Sequence, residues 1–452
     1  MGDMSDLPSY AHLLAWIEQI PIIDTHEHIG DRGLGAEEDT VFCLGQLLCT
    51  PYLSNRLVSA GVPASVFARR DDDPQTFRRT IVDNLDLVRA TCQYQNFARA
   101  LDDLHQFPEQ ELTLATWEDL DKRVVQAYSR GYRAWCAQAF QSAHIQVALK
   151  NTHLPYYTRF LPGLDADRRA QERKLFHSLP AFDWVLFGYE RENERTRVLK
   201  PTQAAMDSDP ANFDEYLDMV WRFVLLAKRH GAVGLKCTAA YFRMLDFQIS
   251  TREEARRTYD AKPGQITAAQ AKAFQDYLMQ QVILAAAEHN LPIHIHTGAI
   301  FGTSMELAGL APSKLCTILS WPEAAAATIV LLHGGFPYTG EMSTIAKTFP
   351  NVCLDYSDVG MVSLETLRRC LHEWIECVPS NKIMQGGDAL NIEQCYGVTV
   401  RQREALAQVL AEKTESGQIT LPLAKSIARR ILHDNAKEIF HLEAHPDDQL
   451  PA

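Results

Sequence analysis

Polar and apolar positions follow two different rhythms along this chain. In one, a short apolar run ends abruptly in a polar residue; in the other, apolar residues recur three and four apart. Pro21-Ile22-Ile23-Asp24-Thr25-His26-Glu27-His28 opens the first kind. Such a run reads as a buried parallel strand. The same pattern returns at Ile145–Leu149, Asp183–Phe187, Ala232–Lys236, Pro292–Gly298, Thr328–Gly335, Asn351–Asp355 and Lys382–Asp388. The helical rhythm fills the intervals, at residues 8–20, 212–230, about 266–290 and roughly 399–442. It is densest from residue 41 to about 142, for instance at Ile81, Leu85, Val88 and Cys92, and again at Leu120, Val124, Val125 and Tyr128. Asp71-Asp72-Asp73-Pro74 predicts a helix start there, because acids and proline suit a helix N-terminus. Gly30 to Thr40 reads as a glycine- and acid-rich loop.

Eight strands alternating with helices predict a parallel sheet, and eight such units closing on themselves make a (β/α)8 TIM barrel. The rival is an open, doubly wound sheet. Neither G-x-G-x-x-G nor G-x-x-x-x-G-K-[ST] occurs, so its nucleotide-binding versions have no support. The reading is one barrel domain over residues 1–452, with a large helical insertion after the first strand at about residues 41–142.

Composition narrows the function. Of 452 residues 46% are hydrophobic and 22% charged, which permits a large core, and the net charge of −13 argues against a nucleic-acid surface. The ten cysteines show no C-x-x-C pair, so a disulfide framework or cysteine zinc site is disfavoured. Met1 to Leu14 carries Asp3 and Asp6 and no long apolar run. No secretory signal and no membrane contact are therefore expected, and the cytoplasm is the expected location. The expected partner is a small-molecule substrate, with a homo-oligomer left open.

The chemistry lies where the strands should end. Side chains alternate along a strand, so His26 and His28 share one side and can hold one divalent metal between them. Lys236, His296, His333, Asp355 and Asp388 each follow an apolar run, and several precede glycine. Histidines and an aspartate at separate strand ends form an N/O ligand set suited to zinc or a similar ion. His294 has the parity of His296 and lies one pleat deeper; His296, nearest the loop, is the preferred ligand. Asp355 is open between a turn acid and a functional one.

His26-x-His28 after a first strand, His296-Thr-Gly, His333-Gly-Gly and Gly-Asp388-Ala together resemble the amidohydrolase superfamily. The closer likeness is to its "amidohydrolase 2" branch of hydrolases and metal-dependent decarboxylases. The run from His333-Gly-Gly-Phe-Pro-Tyr to Asp355 is similar to the FluG and nodulin-like group. The resemblance covers residues 21–30 and about 230–442 and is weak over 41–200. It implies a metal inside the barrel mouth, with His26, His28, His296 and Asp388 as ligands or direct neighbours. It implies His333 as acid/base or electrostatic partner, and Asp388 as a second proton acceptor. Related barrels carry a carboxylated lysine bridging two metals where Lys236 stands. The nodulin-like group has a lysine followed by residues similar to Tyr241 and Arg243. Lys236, Tyr241 and Arg243 are accordingly read as substrate contacts, with one metal, expected to be zinc. The implied activity is a metal-dependent hydrolase of a small polar, carboxylate-bearing substrate. Alternatives are a decarboxylase of the same branch or a uronate-isomerase-like enzyme, which the stretch Tyr52-Leu53 to Gly61-Val62-Pro63 and His296-Thr-Gly-Ala299 faintly resemble. The sixth-strand His333 argues against the isomerase. A non-catalytic scaffold barrel is a different class, disfavoured because the site residues are intact.

Overall fold

The structure is a computed structural model describing residues 8–29, 42–108, 111–153, 166–190, 199–262, 264–300 and 306–443. The loop expected at Gly30 to Thr40 lies outside the described residues.

Eight short strands follow one another in sequence: β1 Ile22–Glu27, β2 Ile145–Thr152, β3 Phe176–Pro180, β4 Leu235–Cys237, β5 Ile293–Ile295, β6 Ile329–Leu331, β7 Val352–Asp355 and β8 Ile383–Met384. All pairings are parallel and consecutive, β1-β2-β3 in one sheet and β4 to β8 in the other. Links of a different kind close the ring at two seams. Isolated parallel bridges, Ser178 with Ala232 and Ala181 with Lys236, join β3 to β4. At the other seam Thr25 N–H donates to the Gln385 carbonyl at 3.0 Å, and Asp388 N–H donates to the His26 carbonyl at 2.8 Å. The protein is therefore a (β/α)8 barrel, and every residue of β1 is buried, as a strand covered on both faces requires.

One predicted strand is wrong. Asp183–Phe187 is a buried 3-10 turn, and the third strand is Phe176–Pro180 just before it. A short apolar run signals burial without deciding between strand and turn. Here the Asp183 carboxylate accepts from the Thr238 N–H and hydroxyl, which folds the run over the end of β4.

Ile23, Val147, Leu149, Leu179, Val330, Leu332, Cys353 and Met384 fill the barrel, and Ala436 and Phe440 close its lower end. Between β1 and β2 the described residues form helices and 3-10 turns, from Leu44–Leu48 to Tyr132–Ala143. Asp73 caps the helix Pro74–Asn84 by accepting from Thr76 N–H. The long helix Ile392–Glu415 packs against the helices Pro8–Ile17, Cys92–His105, Tyr132–Ala143 and Leu364–Cys377. Gly397 permits the closest of these approaches, since a Cβ there would drive into the backbone carbonyl of Asn96. Beside it, buried Glu393 accepts from Tyr128 Oη at 2.7 Å and Trp135 Nε1 at 3.1 Å and pairs with His105 Nε2 at 3.1 Å. Helices that follow β1 are thus tied to the helix that follows β8.

Candidate metal centre

The C-terminal ends of the strands converge on Asp388. Its Oδ1 lies 3.3 Å from His26 Nε2 and 3.3 Å from His28 Nε2. These three side chains offer ligand atoms within 4.8 Å of one another. His26 is fully buried, while the His28 side chain keeps 26% exposure and marks the open side. Donor type, convergence and burial fit one divalent cation.

The turn that presents Asp388 is built by close approach. A Cβ on Gly386 would meet Ser357 and Asp355, and one on Gly387 would run into Glu27 and Asp24. Asp24 Oδ1 accepts from Gly387 N–H at 3.0 Å and Glu27 Oε2 accepts from Ala389 N–H at 2.8 Å, so the two acids grip the residues flanking Asp388. Burial pushes the Asp24 carboxyl up to about 7, and burial and then the neighbouring Asp24 push Glu27 well above the carboxylate range. Asp388 (φ 64°), His333 (φ 65°) and Asp358 (φ 61°) all take left-handed backbone, uncommon for non-glycine residues and frequent at functional sites.

Around this core the structure places His333 Nδ1 3.8 Å from Asp388 Oδ2 and 3.1 Å from Ser357 Oγ. Ser357 N–H donates in turn to Asp355 Oδ1 at 2.6 Å, and Asp355 Oδ2 accepts from the Thr25 hydroxyl. Asp355 is therefore a brace between β1 and the His333 loop. Lys236 Nζ lies 3.5 Å from His26 Nε2. His296 stands one step aside. Its ring is 4.2 Å from that of His333 and 5.0 Å from Tyr241, and its Nε2 is 3.1 Å from the Ala299 carbonyl. His296 is not part of the three-residue donor group. Tyr241 sits at the rim, 38% exposed.

Arg243 is engaged by its own neighbours. Its guanidinium bonds to Asp276 at 2.8 Å and Gln275 at 3.0 Å and stacks 4.1 Å over Phe247. Those partners hold it in a buried ion pair. Tyr52 is the residue the sequence reading missed. From the helix Pro51–Ser59 its hydroxyl reaches Asp388 Oδ2 at 2.7 Å and the Asp388 carbonyl at 2.6 Å.

Burial sets the protonation states. It pulls His26 down to about 3, helped by the Lys236 charge, and does the same to His296. His333 is held well below the imidazole range by burial and then by His296. Burial would raise Asp388, but His333, His26 and His28 around it outweigh burial and hold the carboxyl well below its ordinary range. Burial lowers Lys236 to about 8 against the opposing pull of Asp388 and Asp183. Neutral imidazoles beside an ionised carboxylate are the protonation states metal ligation requires.

A parallel barrel with histidine and aspartate donors gathered at its C-terminal mouth is the architecture of a metal-dependent enzyme. Residues 177–442 match the amidohydrolase family profile, and the chain belongs to that family. It is similar to protein fluG of Emericella nidulans, 29% identical over 229 residues, 47% of this chain and 26% of that protein. The chain thus spans about a quarter of that relative's length. Among solved structures it is similar to glucuronate isomerase from Caulobacter crescentus (TM-score 0.77, 17% identity, 99% of this chain and 97% of that one). It is likewise similar to uronate isomerase from Thermotoga maritima (0.77, 15%, 96% and 97%). A Lactobacillus casei protein provisionally described as a metal-dependent hydrolase also matches (0.65, 20%, 95% and 97%). Among the described residues no helix is long and apolar enough to cross a membrane.

Proposed function

We propose that this protein is a metal-dependent hydrolase of a small polar substrate carrying a carboxylate. The observation that carries the reading is the convergence of His26, His28 and Asp388 beside buried Lys236. His26, His28 and Asp388 would hold one divalent ion, zinc by the donor set, with His296 as a neighbouring ligand. Bound there, the ion would supply Lewis acidity toward a substrate oxygen and toward water. Lys236, an ammonium below about pH 8, pairs with the substrate carboxylate as a point charge. Asp388 is the ionised group placed to take a proton. His333, braced by Ser357 and with Nε2 free of protein partners among the described residues, holds or delivers one to the departing group. Tyr241 at the rim shapes the entrance.

The test is a panel of small amides, esters, lactones, uronates and carboxylic acids assayed with zinc-reconstituted protein. Hydrolysis of an anionic amide, ester or lactone, lost on chelation, is the expected outcome. Turnover confined to uronates without bond cleavage would favour an isomerase instead, the reading that the whole-chain likeness to uronate isomerases supports. Lys236→Met separates one metal from two. It should keep the metal and raise KM for the anionic substrate about 10–100-fold, the loss of one charged hydrogen bond. Loss of an ion from a two-ion wild type would show instead that Lys236 is a carboxylated ligand.

A further inference from the structure

One imidazole inside the barrel is left over. His294 on β5 is wholly buried and lies in register with Lys236 on β4 and Val330 on β6. Its ring is 5.9 Å from that of His26 above and 5.1 Å from Phe440 below, edge-on to the latter. Neither ring nitrogen of His294 has a hydrogen-bond partner among the described residues. The Nδ1 of His26 has none either. A buried polar group without a partner costs about 1–3 kcal/mol, so two such rings side by side call for an explanation. Apolar replacements were available: the rest of the barrel filling is Val, Leu, Ile, Met and Cys.

A neutral imidazole carries one donor and one acceptor nitrogen. His26 turns Nε2 toward Asp388, so as a ligand through that nitrogen it must carry its proton on Nδ1. Metal-bound histidines almost always donate that second N–H to an acceptor, which fixes tautomer and ring angle. One water making two hydrogen bonds of about 2.8–3.0 Å bridges nitrogens up to about 6 Å apart, the order of the 5.9 Å between these ring centroids. We infer that His294 is a positioning residue for the metal centre: through one buried water it receives the His26 Nδ1–H and aims Nε2 at the ion. This rests on the metal-centre reading above. It gives His294 a task that neither ligation nor core packing supplies.

The test compares wild type, His294→Leu and His294→Gln, by zinc competition against a chromophoric chelator and by thermal unfolding of the metal-free proteins. A crystal structure of the zinc-loaded wild type completes it. His294→Leu is expected to lose zinc affinity about 10–100-fold, the usual effect of removing an outer partner, while its metal-free unfolding midpoint stays level or rises. His294→Gln, whose amide oxygen still accepts, should stay within a few-fold of wild type, and the crystal should show an ordered water between the two rings. Equal zinc affinity in wild type and His294→Leu would overturn the inference and leave the metal centre standing. So would equal losses in both variants, which would mark a packing role, or a dry gap between the rings. A wild type that takes up no zinc would defeat the metal centre itself, and this inference with it.

Discussion

At the scale of residues, the site is a carboxylate surrounded by donors that each have a second task. Tyr52 shows this best, because its hydroxyl serves both the side chain and the backbone of Asp388. Tyr52→Phe removes a bond to an ionised acceptor worth about 1.5–3 kcal/mol. Zinc affinity should fall roughly 10-fold or more, measured by chelator competition; unaltered affinity would reduce Tyr52 to a packing residue. Asp355 contributes a pH dependence of its own. Burial raises its carboxyl to about 6 against an ordinary 3.8, despite the Ser357 and Thr25 bonds. Below pH 3.8 both folded and unfolded forms are protonated and the contribution is complete. Between 3.8 and 6 the unfolded chain ionises first, so stability falls as pH rises, by on the order of 2–3 kcal/mol. Urea midpoints of metal-free wild type and Asp355→Asn across pH 4–7 should diverge in that direction, and parallel curves would reject the assignment. His26, His28 and Asp388 stand out in the sequence because each ends an apolar run, and the structure brings the three together. Tyr52 does not stand out, because it occupies an apolar position of a helix and nothing in spacing distinguishes a tyrosine that reaches a carboxylate. The partners of Arg243 are illegible for the converse reason: Asp276 and Gln275 lie on a distant helix.

At the scale of elements, the helices rather than the strands carry the surprises. Seven strands fall where the apolar runs place them, since a two-sided buried strand writes itself as an uninterrupted apolar segment. The eighth run, Asp183–Phe187, shows the limit of that signal, because a buried turn writes the same segment. Helix–helix distance is less legible still. Gly397 sits inside the helix Ile392–Glu415, where propensity alone favours alanine by about 1 kcal/mol. The Asn96 carbonyl occupies the space the extra carbon needs, and that atom is backbone. Gly397→Ala should therefore destabilise by roughly 1–3 kcal/mol or more, read as a lower urea midpoint. A stabilised variant would mean that the two helices part freely.

At the scale of the whole molecule, the ring is held at two seams that differ from its regular ladders, and the proposed metal centre straddles one of them. Zinc binding should then stabilise the entire fold. At 100 times Kd the gain is about 2.7 kcal/mol, seen as a higher unfolding midpoint that chelator reverses and that His28→Ala abolishes. A midpoint indifferent to zinc in wild type would contradict the centre. That seam also orders events in time. Gly387 and its partner Asp24 are 363 positions apart, so the ribosome makes one roughly 20–70 s after the other. Throughout that interval β1 has no eighth strand to close against, and two histidines of the centre wait without their carboxylate. A nascent chain cannot assemble the three-donor group early, and any ion it meets is loosely held until the last strand docks. On the proposed reading metallation would be a late event, and a chain cut short before Asp388 should carry no metal at all.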